Sequence, residues 1–267
     1  MLQWKCQKLF ATYLDAADGL PFSPFECSRD NSAIDWKATA MAVSEIFAYV
    51  CGLGDIQRDA LYTCVRDAYH AYGFGSGDES QAEEYPTLSD VLRRIDLAER
   101  QRRSQNLLAR CRPLLEMDLF RPPAGKRNDL MDSVRHGLAI DLHNVPSETL
   151  QLAAGAFLLR KLYRDMFQWG TTDRLQLAIV LDEAHRLSRD VTLPKIMKEG
   201  RKFGVTVVVA SHGIADFHAD VLSNAGTKLA FRANYPESRK IAGFFRGRAG
   251  QDLVALLQGL SVGQALI

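Results

Sequence analysis

The sequence predicts an α/β fold: a parallel sheet flanked by helices and preceded by a mostly helical region. Three observations predict it. Residues 1–130 carry apolar positions at helical spacing, and residues 131–267 alternate short apolar runs with helical stretches. One of those runs, Leu177-Ala178-Ile179-Val180-Leu181, ends in two adjacent carboxylates. Apolar strands separated by helices build a mostly parallel sheet covered on both faces. Ligands of such sheets sit at the carboxyl ends of the strands.

The elements follow in order. Ala33 to Val50 sets Ile34, Val43, Ile46, Phe47 and Val50 at helical spacing. Asp55 is the expected cap of a second helix to about Tyr72, with Leu61, Val65, Ala68 and Tyr72 on one face. Gly73 to Ser80 is a glycine-rich break. Thr87 opens a third helix with the stripe Leu88, Val91, Leu92 and Ile95, and a fourth holds Leu107, Leu108, Leu114 and Leu115. Arg121 to Asn128, with two prolines and a glycine, reads as a loop. Strand-like runs then appear at 138–142, 177–181, 205–210, 228–231 and 264–267, and helices at 147–167, 193–203, 236–245 and 250–257. This organisation gives a mostly helical region at 1–130 and a sheet-forming part at 131–267. There is no internal repeat and no low-complexity tract.

Composition narrows the class. The 267 residues are 47% hydrophobic and 24% charged, with a formal net charge of +1, as in ordinary globular chains. The segment from Lys195 to Arg248 is nevertheless basic: ten Lys and Arg face only Glu199, Asp216, Asp220 and Glu237. Such a segment holds phosphates of a nucleotide or nucleic acid, or is a solvated face. Cys6, Cys27, Cys51, Cys64 and Cys111 are odd in number and form no C-x-x-C pair. Neither a disulfide framework nor a zinc site is expected, and reduced core thiols fit better. No run approaches the ~20 apolar residues of a membrane span. Lys5, Gln7 and Lys8 break any signal-peptide pattern. The expected location is cytoplasmic, without a membrane partner.

The chemistry concentrates at Leu177 to Leu187, where an apolar strand leads into Asp182-Glu183-Ala184-His185. In P-loop ATPases this is the Walker B arrangement. The first carboxylate, Asp182, holds Mg2+ through its water shell, and the second, Glu183, polarises the attacking water. The plain alternative is a helix N-terminus, where acidic residues are favoured by the dipole. The next strand ends in Ala210-Ser211-His212-Gly213. Ser211 and His212 stand where such ATPases carry a polar sensor for the γ-phosphate; otherwise they form a turn. Arg201, at the end of the intervening helix, either reaches a phosphate, in a neighbouring subunit for instance, or complements the helix C-terminus. A metal hydrolase is disfavoured because D-E-A-H is not H-E-x-x-H. Gly75-Ser76-Gly77 follows no strand and is no nucleophile elbow.

The ordered set of Ala178–Leu187, Glu199–Val205 and Asp220–Lys228, with Pro236–Ala242 and Leu260–Ile267, resembles the HerA/FtsK superfamily of hexameric DNA translocases and helicases. The resemblance covers about 138–267. Leu20–Phe25 and the helices after it are similar to the helical insertion of HerA-like proteins. Within the family the DptH-type ATPases of phosphorothioate-linked restriction look nearest. The resemblance implies a RecA-like (P-loop NTPase) sheet, ATP and Mg2+ as cofactors, duplex DNA as partner and a homo-oligomer, a hexamer. It adds Arg239 to Arg201 as a phosphate-contacting candidate, in cis or in trans.

Two departures stand out. The family commonly has glutamine where His212 stands. No G-x-x-x-x-G-K-[ST] occurs in the 267 residues. Gly73–Gly77 is followed by Asp78, and Gly125-Lys126 lacks the upstream glycine. Without the backbone N–H cradle and its Lys, phosphates are not held. The sheet is therefore expected to be incomplete, and an N-terminal segment or subunit carrying Walker A is an expected partner. The chain would then be a fragment, a split subunit or a truncated gene product. The rival reading is a catalytically inactive, ATPase-like scaffold that assembles with a complete homologue.

Overall fold

Helix caps and apolar stripes account for most of the first half of the chain in the computed structural model. The structure describes residues 11–27, 29–30, 33–76, 84–101, 106–121, 129–187, 190–247 and 250–267. Cys6, Lys126, Arg248, the end of the glycine break and nearly all of the proline-rich loop lie outside the described residues. Two compact units divide the chain, Met1–Asp165 and Met166–Ile267.

In the first unit, α1 (Trp36–Cys51) is capped by Asp35, whose carboxylate accepts the Ala38 amide at 3.1 Å. The N-cap of α2 (Asp55–Ala71) is Gly54; Asp55 is the first helical residue instead of the expected cap. There its charge still favours the positive helix end. α3 (Leu88–Arg100) opens with a capping box: the Asp90 amide donates to the Thr87 hydroxyl, and the Thr87 amide donates to the Asp90 carboxylate. α4 (Leu107–Glu116) completes the packed set. Trp36, Phe47, Leu61, Val65, Tyr69, Val91, Ile95 and Leu114 form its buried core. The Tyr69 hydroxyl donates to the Phe25 carbonyl at 2.6 Å, so that burying the phenol strands no polar group.

A short strand, β1 (Thr12–Asp15), pairs in parallel with β2 (Leu138–Asp141), which follows α5 (Asp129–Arg135). Sequence pattern indicated β2 but not β1: both have four residues, but Thr12-Tyr13-Leu14-Asp15 lacks the apolar run of Leu138-Ala139-Ile140. Helix α6 (Glu148–Met166) follows. Its buried Lys161 ammonium lies 2.8 Å from Asp165 and 3.0 Å from Glu26.

The second unit is built on a parallel pair, β3 (Thr172–Leu181) with β4 (Phe203–Val209). Leu181 lies opposite Val209 and Ile179 opposite Val207. Gly204 has φ +70°, and a Cβ there would collide with the Arg174 carbonyl oxygen. The glycine thus permits the register shift between Thr172 and Leu177 that brings the apolar ends into step. Between the strands, α7 (Thr192–Glu199) packs on β4 and buries Leu193 and Ile196. Then come α8 (Ala219–Asn224), α9 (Glu237–Ala242) and α10 (Leu253–Gly259). The runs expected as strands at 228–231 and 264–267 meet in one antiparallel bridge, Ala230 with Leu266.

One expectation needs correcting. The apolar runs suggested a sheet covered on both faces, yet one face of this pair is open. Val180 and Val208 point to it and are 68% and 52% exposed, while Ile179 and Val205 are buried. The α/β class stands, with the parallel strands in separate two-stranded pairs. Among the described residues no helix is long and apolar enough to cross a membrane.

Buried Asp190 starts α7, accepting the Thr192 amide at 2.7 Å and the Leu193 amide at 2.9 Å. Burial pushes its carboxyl up, against the pull of these bonds. A raised acid contributes stability that is full below its unfolded value, near 3.8, and is lost as pH rises through the folded value. At neutral pH the carboxylate is therefore a charge kept against its desolvation. Asp190→Asn keeps an acceptor without that charge, so thermal melts at pH 7 should show equal or higher stability. Asp190→Ala should lose about 1 kcal/mol. A marked loss in the Asn variant would refute this assignment.

Candidate active site

Parallel pairing brings the chemically suggestive residues to one end of the sheet. Asp182 and Glu183 follow the last residue of β3, and Ala210, Ser211 and His212 follow the last residue of β4. Backbone bonds continue past the strands: Ala210 donates to Leu181 at 2.9 Å, and Ala184 donates to Ala210 at 2.9 Å. The two tips are thus tied together instead of splaying apart.

Across the tips, His212 Nε2 lies 2.8 Å from Glu183 Oε1. The imidazole is 84% exposed and the carboxylate 38%. Either group can therefore be reached by a ligand or water. Exposed Asp182 turns one oxygen back to accept the Glu183 amide at 3.0 Å. Glu183 itself has φ +53°, a value unusual for a residue with a side chain. Such a backbone costs on the order of 1–3 kcal/mol and persists when neighbours hold it. Here the Asp182 carboxylate and the Ala184 to Ala210 bond do so.

The loop after β4 is fixed by two acids that the sequence reading did not single out as site residues. Asp216 accepts the Ser211 hydroxyl at 2.7 Å and the Gly213 amide at 2.9 Å. Glu237, the first residue of α9, accepts the Ile214 amide at 2.7 Å. Asp216 lies three residues past Gly213, but Glu237 lies 24 residues past it, and no sequence period marks either role. Ser211 is thereby committed to Asp216, and His212 projects freely enough to meet Glu183.

The two arginines differ in placement. Arg239 is exposed on α9, two residues after Glu237. Arg201 precedes β4, at the opposite end of that strand from Ser211 and His212. Seven residues at about 3.3 Å each span roughly 20 Å. Arg201 instead lines an open cleft of about 560 Å³ with Thr172, Asp173, Lys198, Glu199 and Lys202. Its guanidinium cannot meet the carboxyl-end residues of its own unit.

Mg2+ keeps most of its waters and takes one or two carboxylates beside a nucleotide's phosphates. A single exposed Asp at a strand tip fits that requirement. Among the described residues no group of three or more His, Cys, Asp or Glu could hold a metal alone.

No family model matches the sequence. The chain is 35% identical over 96 residues to the probable DNA double-strand break repair helicase HerA of Methanocaldococcus jannaschii, covering 33% of this chain and 19% of that protein. It is 26% identical over 152 residues to the DNA double-strand break repair helicase HerA of Saccharolobus solfataricus, covering 52% of this chain and 30% of that protein. The chain therefore spans only about a fifth to a third of the curated relatives it matches. VirB4 of Thermoanaerobacter pseudethanolicus has the same fold over 97% of this chain and 74% of its own, with a TM-score of 0.68 at 16% identity.

The backbone at Glu183 gives a direct test. Glycine accepts positive φ without the cost that alanine retains. Glu183→Gly should be more stable than Glu183→Ala by about 1 kcal/mol in urea denaturation. Equal stability, or alanine ahead, would show that the residue is not held in this conformation.

Proposed function

Because the chain is a relative of the HerA helicases, we propose that its second unit supplies the magnesium-holding and water-activating half of an ATP-driven DNA translocase. The observation that carries this reading is the Glu183 to His212 contact of 2.8 Å at the carboxyl end of a parallel pair. Nucleotides lie at that end in open α/β sheets. Asp182 would hold Mg2+ through water, and the ion would neutralise charge on the phosphates. Glu183 would accept a proton from the attacking water. His212, bridging to Glu183, would report occupancy across the strand tips, while Ser211 shapes the loop through Asp216. Arg239 would meet phosphate from the exposed side of α9. Arg201, at the far end of β4, suits a contact in trans with a neighbouring subunit's nucleotide, as a hexamer would provide.

The proposal extends to the whole assembly. A P-loop would come from a segment or subunit outside these 267 residues, since none of them forms one. Residues 131–267 would belong to the ATPase core and 1–130 to its helical insertion. The assembled motor would move duplex DNA in the cytoplasm, in a role such as defence against foreign DNA. Charge supports a nucleic-acid or nucleotide partner, given the basic stretch from Lys195 to Arg248.

A second reading, the inactive scaffold, is favoured by one observation: the Ser211 hydroxyl is already committed to Asp216 within the chain. The two readings separate in one experiment. Assembled with a P-loop-bearing subunit, Glu183→Gln should keep ATP binding and lose turnover by about two orders of magnitude or more. Unchanged turnover would reject Glu183 as the base and leave the scaffold.

A further inference from the structure

Phe157, Arg160, Lys161 and Arg164 recur on α6 at the three- and four-residue spacing that puts side chains on one helix face. The turn Phe22–Phe25 lies against that face. Phe22 meets Phe120 edge-on with ring centroids 5.3 Å apart, and Phe120 meets Phe157 at 5.2 Å. These ring contacts seat the turn on the helix. Turn and helix enclose a cavity of about 10 Å³, with buried Phe22, Pro24 and Phe157 as its apolar walls. That volume is room for about one water-sized sphere.

The charges around the cavity do not balance. Lys161 lies 2.8 Å from Asp165 and 3.0 Å from Glu26, and Arg164 lies 3.2 Å and 3.4 Å from the same two carboxylates. Two cations and two anions thus satisfy one another. Half-buried Arg160 is a third cation on the same lining. Its guanidinium makes no hydrogen bond or ion pair among the described residues, and exposed Glu45 acts on it only from beyond ion-pair range. Cys27 and Tyr69 nearby offer no counter-charge, since burial pushes both up and keeps them protonated at neutral pH. Burial also draws Arg160 down to about 10, which still leaves it charged at pH 7. A cation removed from water without a partner carries an uncompensated cost. Ser23, also on the lining, brings a donor. Its hydroxyl oxygen accepts the Phe25 amide at 3.2 Å, and its own hydrogen has no acceptor among the described residues.

We propose that this cavity binds a single chloride ion, held by the Arg160 guanidinium and the Ser23 hydroxyl, which pins the Phe22–Phe25 turn to α6. Size selects the ligand: space for about one sphere admits a monatomic anion and excludes a phosphate or a nucleotide. Charge selects its sign, because the lining has one cation in excess and a hydroxyl hydrogen to give. The apolar walls keep bulk water from screening the contact. The site lies within the first unit and does not depend on the nucleotide reading.

The test follows thermal melts of the full chain as potassium chloride replaces potassium gluconate at constant ionic strength. The expected result is a saturating rise in Tm of roughly 2–4 °C. Arg160→Met keeps the length of the side chain and removes its charge, and its Tm should not respond to chloride. Ser23→Ala should need about tenfold more chloride for the half-maximal rise. Crystals of the native chain grown in bromide should show an anomalous peak between Arg160 and Ser23. A Tm that is equal in both salts overturns the proposal, as does a rise that never saturates or one that persists in Arg160→Met. An unchanged midpoint in Ser23→Ala overturns the site as drawn. Absence of bromide at Arg160 overturns it without reliance on any variant.

Discussion

The in-register parallel pairing of β3 and β4 is the constraint on which the second unit rests. Leu181 opposite Val209 sets both strand tips at the same height. A slip of one residue would turn each strand over, sending Ile179 outward and separating Glu183 from His212. Gly204 makes the register possible, since any side chain at its φ of +70° would strike the Arg174 carbonyl. A glycine near the amino end of β4 thus governs the geometry beyond its carboxyl end. The covered face, with Ile179 and Val205, supplies the apolar burial that holds the register.

Pre-organisation comes from a second layer of acids. Asp216 and Glu237 take hydrogens from Ser211, Gly213 and Ile214, so the loop after β4 is fixed before any ligand arrives. The strained Glu183 backbone is held in the same way by Asp182 and by the Ala184 to Ala210 bond. Rigid donors and acceptors of this kind cost little reorganisation when charge develops at a reacting centre. The open face with Val180 and Val208 belongs to the same pair, and it leaves apolar surface that an additional element could cover.

Much of this was legible in the sequence, for physical reasons specific to each element. Leu177–Leu181 and Val205–Ala210 are short, β-branched and apolar, and their ends carry the polar residues that mark strand tips. Thr87 with Asp90, and the stripe Val91 to Ile95, encode α3 almost completely. The four residues of β1 were not legible, because its pairing with β2 joins segments more than 120 residues apart. Nor were the roles of Asp216 and Glu237, which arise from loop geometry and not from any period. The cap of α2 fell one residue early, on Gly54, whose own amide donates to the Gln57 side chain at 3.3 Å. For Arg201, chain order alone already set the residue at the amino end of β4, away from the strand tips.

On the proposed function, a magnesium nucleotide is handled at the carboxyl end of this strand pair. Paramagnetic broadening by manganese-ATP, read on the amide resonances of the chain assembled with a P-loop-bearing subunit, tests it most directly. The account predicts broadening of the amides of Asp182 to Ala184 and Ala210 to Gly213. No broadening near Asp182 to Ala184 would contradict it.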